Sequence, residues 1–237
     1  QSAEFTVSAS VSLSDACKAI ASQYQQTHPG SSVRLNTASS GTLLQQIDKG
    51  APVDVLAVAD QATMDQAESK KLLQAGSRHN FTANRLVLIA PQNSTVPLRR
   101  LNDLQQANVK RIALGNPNSV PAGRYSQAAL NQAQLWSPLR PKYIYTQNVR
   151  QALDYVARGQ VQAGFVYASD VTRMRDKVKV LLTVPTPQPI VYPIARLSRS
   201  KNQAEADRFV RYVLSAPAQA ILQQYGFQSL HTQPTTP

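Results

Sequence analysis

Apolar segments of two different periods alternate along the first part of this chain, and that alternation limits the folds open to it. Phe5–Ala9 reads as a strand and Leu13–Thr27 as an amphipathic helix. Ser32–Asn36 and Thr42–Lys49 repeat the pair, the second helix closed by Gly50. Val53–Val58 is a nearly continuous apolar run, as a strand buried on both faces requires, and Thr63–Leu73 is again helical. A βαβαβα order of this kind predicts a parallel sheet with right-handed crossovers.

A second unit of the same type begins near Asn84. Arg85–Ala90, Arg111–Leu114, Tyr143–Tyr145 and Val161–Tyr167 read as strands. Leu101–Gln106, Gly123–Ala133 and Val149–Arg158 read as helices between them. Val178–Leu182 and Ile190–Ala195 are strands around a proline-rich loop, and Asn202–Ser215 and Ala218–Tyr225 are helices. His231–Pro237 reads as a disordered tail. The expected fold class is α/β, with two lobes that each hold a mainly parallel sheet flanked by helices. Residues 1–82 with 193–237 form one lobe and 83–192 the other. In such sheets ligands bind beyond the carboxyl ends of the strands.

Composition removes several function classes. The chain has 237 residues, and no apolar run reaches the roughly 20 residues needed to cross a bilayer. No signal peptide is visible ahead of Phe5. Cys17 is the single cysteine and falls on the apolar helical face with Leu13, Ala16, Ile20, Ala21 and Tyr24, so it reads as a small core residue. The three histidines are scattered without metal-ligand spacing, and no direct metal site is expected. The net charge of +12 is uneven: residues 83–192 carry 14 Lys+Arg and 4 Asp+Glu, the remainder 11 and 9. Those basic residues are dispersed, and no nucleic-acid-binding signature accompanies them, so no nucleic-acid partner is expected. A basic half that concentrates a small anion fits the distribution better.

Two serine-headed segments carry the chemistry. Val11-Ser12-Leu13-Ser14-Asp15-Ala16 and Ala38-Ser39-Ser40-Gly41-Thr42-Leu43 each follow a strand and open a helical pattern. A helix start offers unsatisfied N–H groups and the positive end of its dipole to an anion. The plainer alternative is capping. Ser12 with Asp15 has the spacing of a capping box, and Ser40 can cap its own helix. A serine hydrolase is the alternative from another class, but the Gly-x-Ser-x-Gly elbow is missing and no histidine lies in a candidate loop. No catalytic residue is therefore assigned.

The segments SASVSLSDA at 8–16, TASSGTLLQQIDKGAPVDVLAVAD at 37–60, NRLVLIAP at 84–91, ALGNPNSVPAGRYSQAAL at 113–130, QNVRQALDYVARGQVQAGFVYASD at 147–170, YPIA at 192–195 and AQAILQQYGF at 218–227 follow one another in order. With them the chain resembles the periplasmic molybdate-binding proteins of ABC transporters. That resemblance implies a type II periplasmic-binding-protein fold whose two lobes take a tetrahedral oxyanion in the interlobe cleft. It implies molybdate or tungstate as ligand, with sulfate as the alternative. It also implies no cofactor, an ABC transporter permease as partner, a periplasmic location and a monomer. Molybdenum is then held only through its oxygens. The matching positions are Ser12 and Ser40, giving hydroxyl and backbone donors, Ala122 and Val149, giving backbone N–H donors, and Tyr167, giving its phenolic O–H.

The chain departs from the commoner pattern at SASVS, which replaces a more alanine-rich segment, and at Gly41, where a third serine is frequent. Arg124, beside the VPAG segment, is variable in the family. Each matching residue also has a structural alternative. Val149 and Tyr167 suit a core, Pro121-Ala122-Gly123 an ordinary turn, and Asn148 a helix cap. The donor-only character of the set suits a dianion that has no proton to give. Discrimination from sulfate must then rest on cavity size.

Overall fold

The computed structural model describes residues 3–230, so the expected tail at 231–237 lies outside the described residues. The chain divides into two compact units, Gln1–Ala83 with Val191–Pro237, and Asn84–Ile190.

In the first unit the strands are β1 (Ala3–Ser10), β2 (Ser31–Ala38), β3 (Val55–Ala57), β4 (His79–Asn84) and β10 (Ile190–Arg196), in the order β2-β1-β3-β10-β4. β1 pairs in parallel with both β2 and β3, while β10 runs antiparallel to β3. Helices α1 (Ser14–Thr27), α2 (Ser40–Asp48) and α3 (Gln61–Ser69) fill the crossovers, and α7 (Gln203–Val213) and α8 (Ala216–Gln224) close the chain. Leu43, Leu44, Ile47, Leu56, Val58 and Met64 form a continuous apolar core between α2, α3 and the sheet. α1 buries Ala16, Cys17, Ile20, Ala21 and Tyr24 on one face. Burial pushes the Cys17 thiol up to about 12, which makes it an inert core group.

The second unit has the order β7-β6-β8-β5-β9, with β5 (Leu86–Pro91), β6 (Ile112–Gly115), β7 (Tyr143–Thr146), β8 (Ala163–Tyr167) and β9 (Val178–Val184). β6 is parallel to β7 and β8, and β5 is antiparallel to β8 and β9. Helices α4 (Pro121–Gln132), α5 (Val149–Ala157) and the short α6 (Ala168–Val171) complete it. Gly115 and Gly123 let α4 start hard against the end of β6. A Cβ on Gly123 would stand 1.9 Å from the Gly115 carbonyl oxygen, and one on Gly115 would stand 2.3 Å from Val120 Cγ1. α5 is capped by Asn148, whose Oδ1 accepts from Gln151 N–H at 2.9 Å, and is closed by Gly159 at φ 70°.

The expected elements are present with shifted ends. β4 was not anticipated: His79-Asn80-Phe81-Thr82-Ala83-Asn84 is mostly polar by type, yet its last four residues are buried. Each sheet also contains an antiparallel strand, β10 in the first and β5 in the second, beside the expected parallel ones. In both, the chain returns to the sheet without a crossover helix of the βαβ kind.

Candidate functional site

In the first unit, three parallel strands deliver their carboxyl ends to one level. Ser10 pairs with Ala38 across β1 and β2, and Ala9 with Ala57 across β1 and β3. The antiparallel register of β3 with β10 (Ala57 with Ile194) carries Tyr192 to the same level as Ala59. The hydrogen bonds agree. Ser12 Oγ and the Tyr192 hydroxyl are 2.9 Å apart, Ala59 N–H donates to Ser40 Oγ at 3.1 Å, and Ser10 Oγ hydrogen-bonds Ser40 Oγ. Ser10 and Ser40 are buried and Ser12 is partly so. The edge therefore gathers four hydroxyls on neighbouring strand ends.

Neither serine caps a helix. Ser12 sits within a 3-10 turn over Val11–Leu13, Leu13 holds the N-cap position of α1, and no side chain caps it. Ser39, not Ser40, is the N-cap of α2, and its hydroxyl turns to Thr42 Oγ1 at 2.8 Å. The hydroxyls of Ser12 and Ser40 thus do not serve the helix ends, while the first-turn N–H groups of α2 have no acceptor inside the helix. Sequence reasoning missed Ser10 and Tyr192. Their signals were the Ser8-Ala9-Ser10-Val11-Ser12 alternation and the tyrosine of YPIA.

The second unit repeats the scheme with backbone donors. The β6 and β7 registers pair Gly115 with Thr146, and Asn116 N–H donates to the Thr146 carbonyl at 2.9 Å. The β6 and β8 register (Ala113 with Gly164) brings Tyr167 to that level. Ala122 is the second residue of α4. Pro121 has no N–H, and Gly123 and Arg124 both donate to the Val120 carbonyl, so the Ala122 N–H points out of the helix end. Val149 opens α5. Its neighbour Gln151 N–H is taken by the cap, while the Val149 N–H has no acceptor within the helix. The Val149 side chain is buried in the core, so only its backbone faces the helix end. Tyr167 closes β8 and is buried to its hydroxyl, and its N–H donates to Asp170 Oδ2 at 2.8 Å. Structure thus places Ser12 and Ser40 at one sheet edge, and Ala122, Val149 and Tyr167 at the corresponding edge of the other sheet.

Charge is arranged differently from the donors. Arg85, Arg124 and Arg150 stand at the donor edge of the second sheet, before β5 and in the first turns of α4 and α5. Lys110, Arg111, Arg140, Arg158 and Lys177 are exposed at the opposite edge, before β6 and β7, after α5 and before β9. A surface cavity of about 390 Å³ lies at that opposite edge, against Pro91, Arg158, Asp176 and Lys177, and holds none of the donors. Among the described residues no group of three or more His, Cys, Asp or Glu side chains is placed to hold a metal ion.

Residues 5–228 match the family described as bacterial extracellular solute-binding protein. The molybdate-binding protein ModA of Escherichia coli is 36% identical over 94% of this chain and 88% of its own length. ModA of Haemophilus influenzae is 31% identical over 96% and 91%. The Azotobacter vinelandii periplasmic molybdate-binding protein superposes with a TM-score of 0.84, covering 98% of this chain and all of that one at 22% identity. A sulfate-binding protein of Mycobacterium tuberculosis reaches 0.86 at 14% identity over 97% and 88%. These last two likenesses speak to the fold alone.

Proposed function

We propose that this chain, which belongs to the bacterial extracellular solute-binding protein family, captures molybdate and hands it to an ABC importer. The family is one of binding proteins and not of enzymes, and its members work outside the cytoplasm. The molybdate reading is supported by the two E. coli and H. influenzae relatives, each matched over nearly the whole chain.

The observation that carries the reading is the donor set. Each sheet edge presents hydrogen-bond donors from strand ends and helix starts: Ser12 and Ser40 in one unit, Ala122, Val149 and Tyr167 in the other. Both sets are read as donors to the oxyanion ligand. Molybdate at neutral pH is a dianion with four acceptor oxygens and no proton. A set of donors alone meets it fully, whereas protonated phosphate also needs an acceptor. Helix starts spread positive potential over the ligand, so a contacting Lys or Arg is not required. Tungstate has the same charge and nearly the same size and belongs to the same ligand class. Sulfate shares the charge but is smaller, so shorter reach to the same donors weakens it. The chain acts as a monomer, with neither cofactor nor nucleic acid.

Titration calorimetry with molybdate, tungstate, sulfate and phosphate in parallel tests this. Tight, single-site binding of the first two and much weaker binding of the others is expected. Comparable affinity for sulfate overturns size selection, and preference for phosphate overturns the donor-only argument.

A further inference from the structure

Ser40 Oγ lies between two groups of its own unit. Ala59 N–H donates to it at 3.1 Å, and Ser10 Oγ is in hydrogen-bond contact with it, both partners buried. A hydroxyl has one proton and two lone pairs. Ala59 fills one lone pair. If Ser10 donates into the second, Ser40 keeps its proton for a ligand. If Ser40 donates to Ser10 instead, it has no proton for a ligand. We propose that Ser10 is a positioning residue that donates to Ser40 whenever an oxyanion is bound, fixing the Ser40 hydroxyl as a donor. The inference rests on the molybdate reading and deepens it, by naming what enforces the donor-only character.

Three features support the assignment. Ser10 is the last residue of β1, so its position is set by the ladder with Ala38 rather than by a mobile loop. The partner is itself held by the first turn of α2 and by Ala59 from the end of β3, so three elements define one oxygen. A second hydroxyl pair lies beside it. The Tyr192 hydroxyl lies 2.9 Å from Ser12 Oγ, and a phenol donates to an aliphatic hydroxyl more readily than the reverse. Two short chains then run Ser10 to Ser40 and Tyr192 to Ser12, each ending in an outward proton. Each donor strengthens the next, because hydrogen-bond chains in low dielectric polarise one another. The chemical consequence is selectivity. With both Ser40 lone pairs filled, an oxyanion that still carries a proton finds no acceptor there.

The test is Ser10→Ala, titrated against molybdate directly and against phosphate by competition, at a pH where phosphate is the singly protonated dianion. Removing Ser10 returns a lone pair to Ser40. Molybdate affinity should fall about threefold to tenfold, the size of one ordinary hydrogen bond. Phosphate should fall less or improve, so the molybdate-to-phosphate ratio drops. An unchanged thermal midpoint shows that the fold is intact. Equal losses for both anions make Ser10 a packing residue and overturn the proposal, as does an unchanged ratio with unchanged affinities. A parent chain that does not take molybdate sinks the functional reading separately. The same pair of proteins is then compared on whichever oxyanion the parent binds, with phosphate as the protonated reference. A parent that binds no oxyanion overturns both.

Discussion

At the scale of single residues, binding and fold ask different things of the same positions. Ser12 and Ser40 sit where capping serines would, yet their hydroxyls face Tyr192, Ser10 and Ala59. Ser12→Ala should therefore leave stability nearly unchanged while weakening molybdate binding, whereas Ser40→Ala should weaken binding and also lower the melting midpoint, because it removes the acceptor of the buried Ala59 N–H. Each loses a hydrogen bond to a charged group, worth about 1.5–3 kcal/mol, or roughly tenfold to a hundredfold in affinity. Tyr167→Phe should cost a similar amount with an unchanged melting midpoint, read by calorimetry and thermal denaturation on the same sample. Unchanged affinity would leave Tyr167 as core packing only. Family-like motifs point to Ser12, Ser40, Ala122, Val149 and Tyr167 in the sequence. Ser10 and Tyr192 were not recognised, because their role depends on a strand register that joins residues 30 and 180 positions apart.

At the scale of elements, most of the fold was legible because strand and helix periods differ and the helix starts carry their own punctuation. Asn148 announced α5, and Gly50 and Gly159 closed α2 and α5. The mixed sheet directions were not legible, since β10 and β5 look like any other apolar run until their partners are known. β4 was hidden by polar residue types that only tertiary contacts bury. Close approach was equally silent in the sequence: Gly123 works because the Gly115 carbonyl occupies the place of its Cβ. Gly123→Ala should push the start of α4 off β6, lowering both the unfolding midpoint and molybdate affinity, because the Ala122 N–H moves with it. An unchanged affinity would remove Ala122 from the donor set.

A second element-scale prediction concerns α7. Glu205 receives hydrogen bonds from Tyr24 of α1, Ser31 of β2 and Arg208. Burial raises its pKa, but the bonds from Ser31, Arg208 and Tyr24 outweigh that and hold it below the usual carboxylate value. A depressed folded pKa contributes stability above the unfolded value of 4.5, lost as pH falls through the folded value. Glu205→Gln should therefore cost about 1 kcal/mol near neutrality and converge with the parent in acid, checked by denaturant unfolding across pH.

At the scale of the whole molecule, the net charge of +12 is the most conspicuous property, and the proposed donor set contains no Lys or Arg. Lys110, Arg111, Arg140, Arg158 and Lys177 stand at the sheet edge away from the donors, and Arg85, Arg124 and Arg150 stand at the donor edge. Exposed charges are screened beyond about 8 Å at physiological ionic strength, so only the near group should steer a dianion effectively. In stopped-flow experiments, sodium chloride should slow association and leave dissociation nearly constant. Arg150→Gln should slow association more than Lys110→Gln does. The reverse order would mean that the far edge sets the field. The proposed function has Ser40 and Tyr167 each donating to molybdate, and a single calorimetric series tests that most directly. Molybdate is titrated into the parent, Ser40→Ala and Tyr167→Phe proteins. One molybdate per chain in the parent, with affinity weakened by a substitution in either unit, is the predicted result. Two independent sites, or a loss confined to one unit's variant, would contradict it.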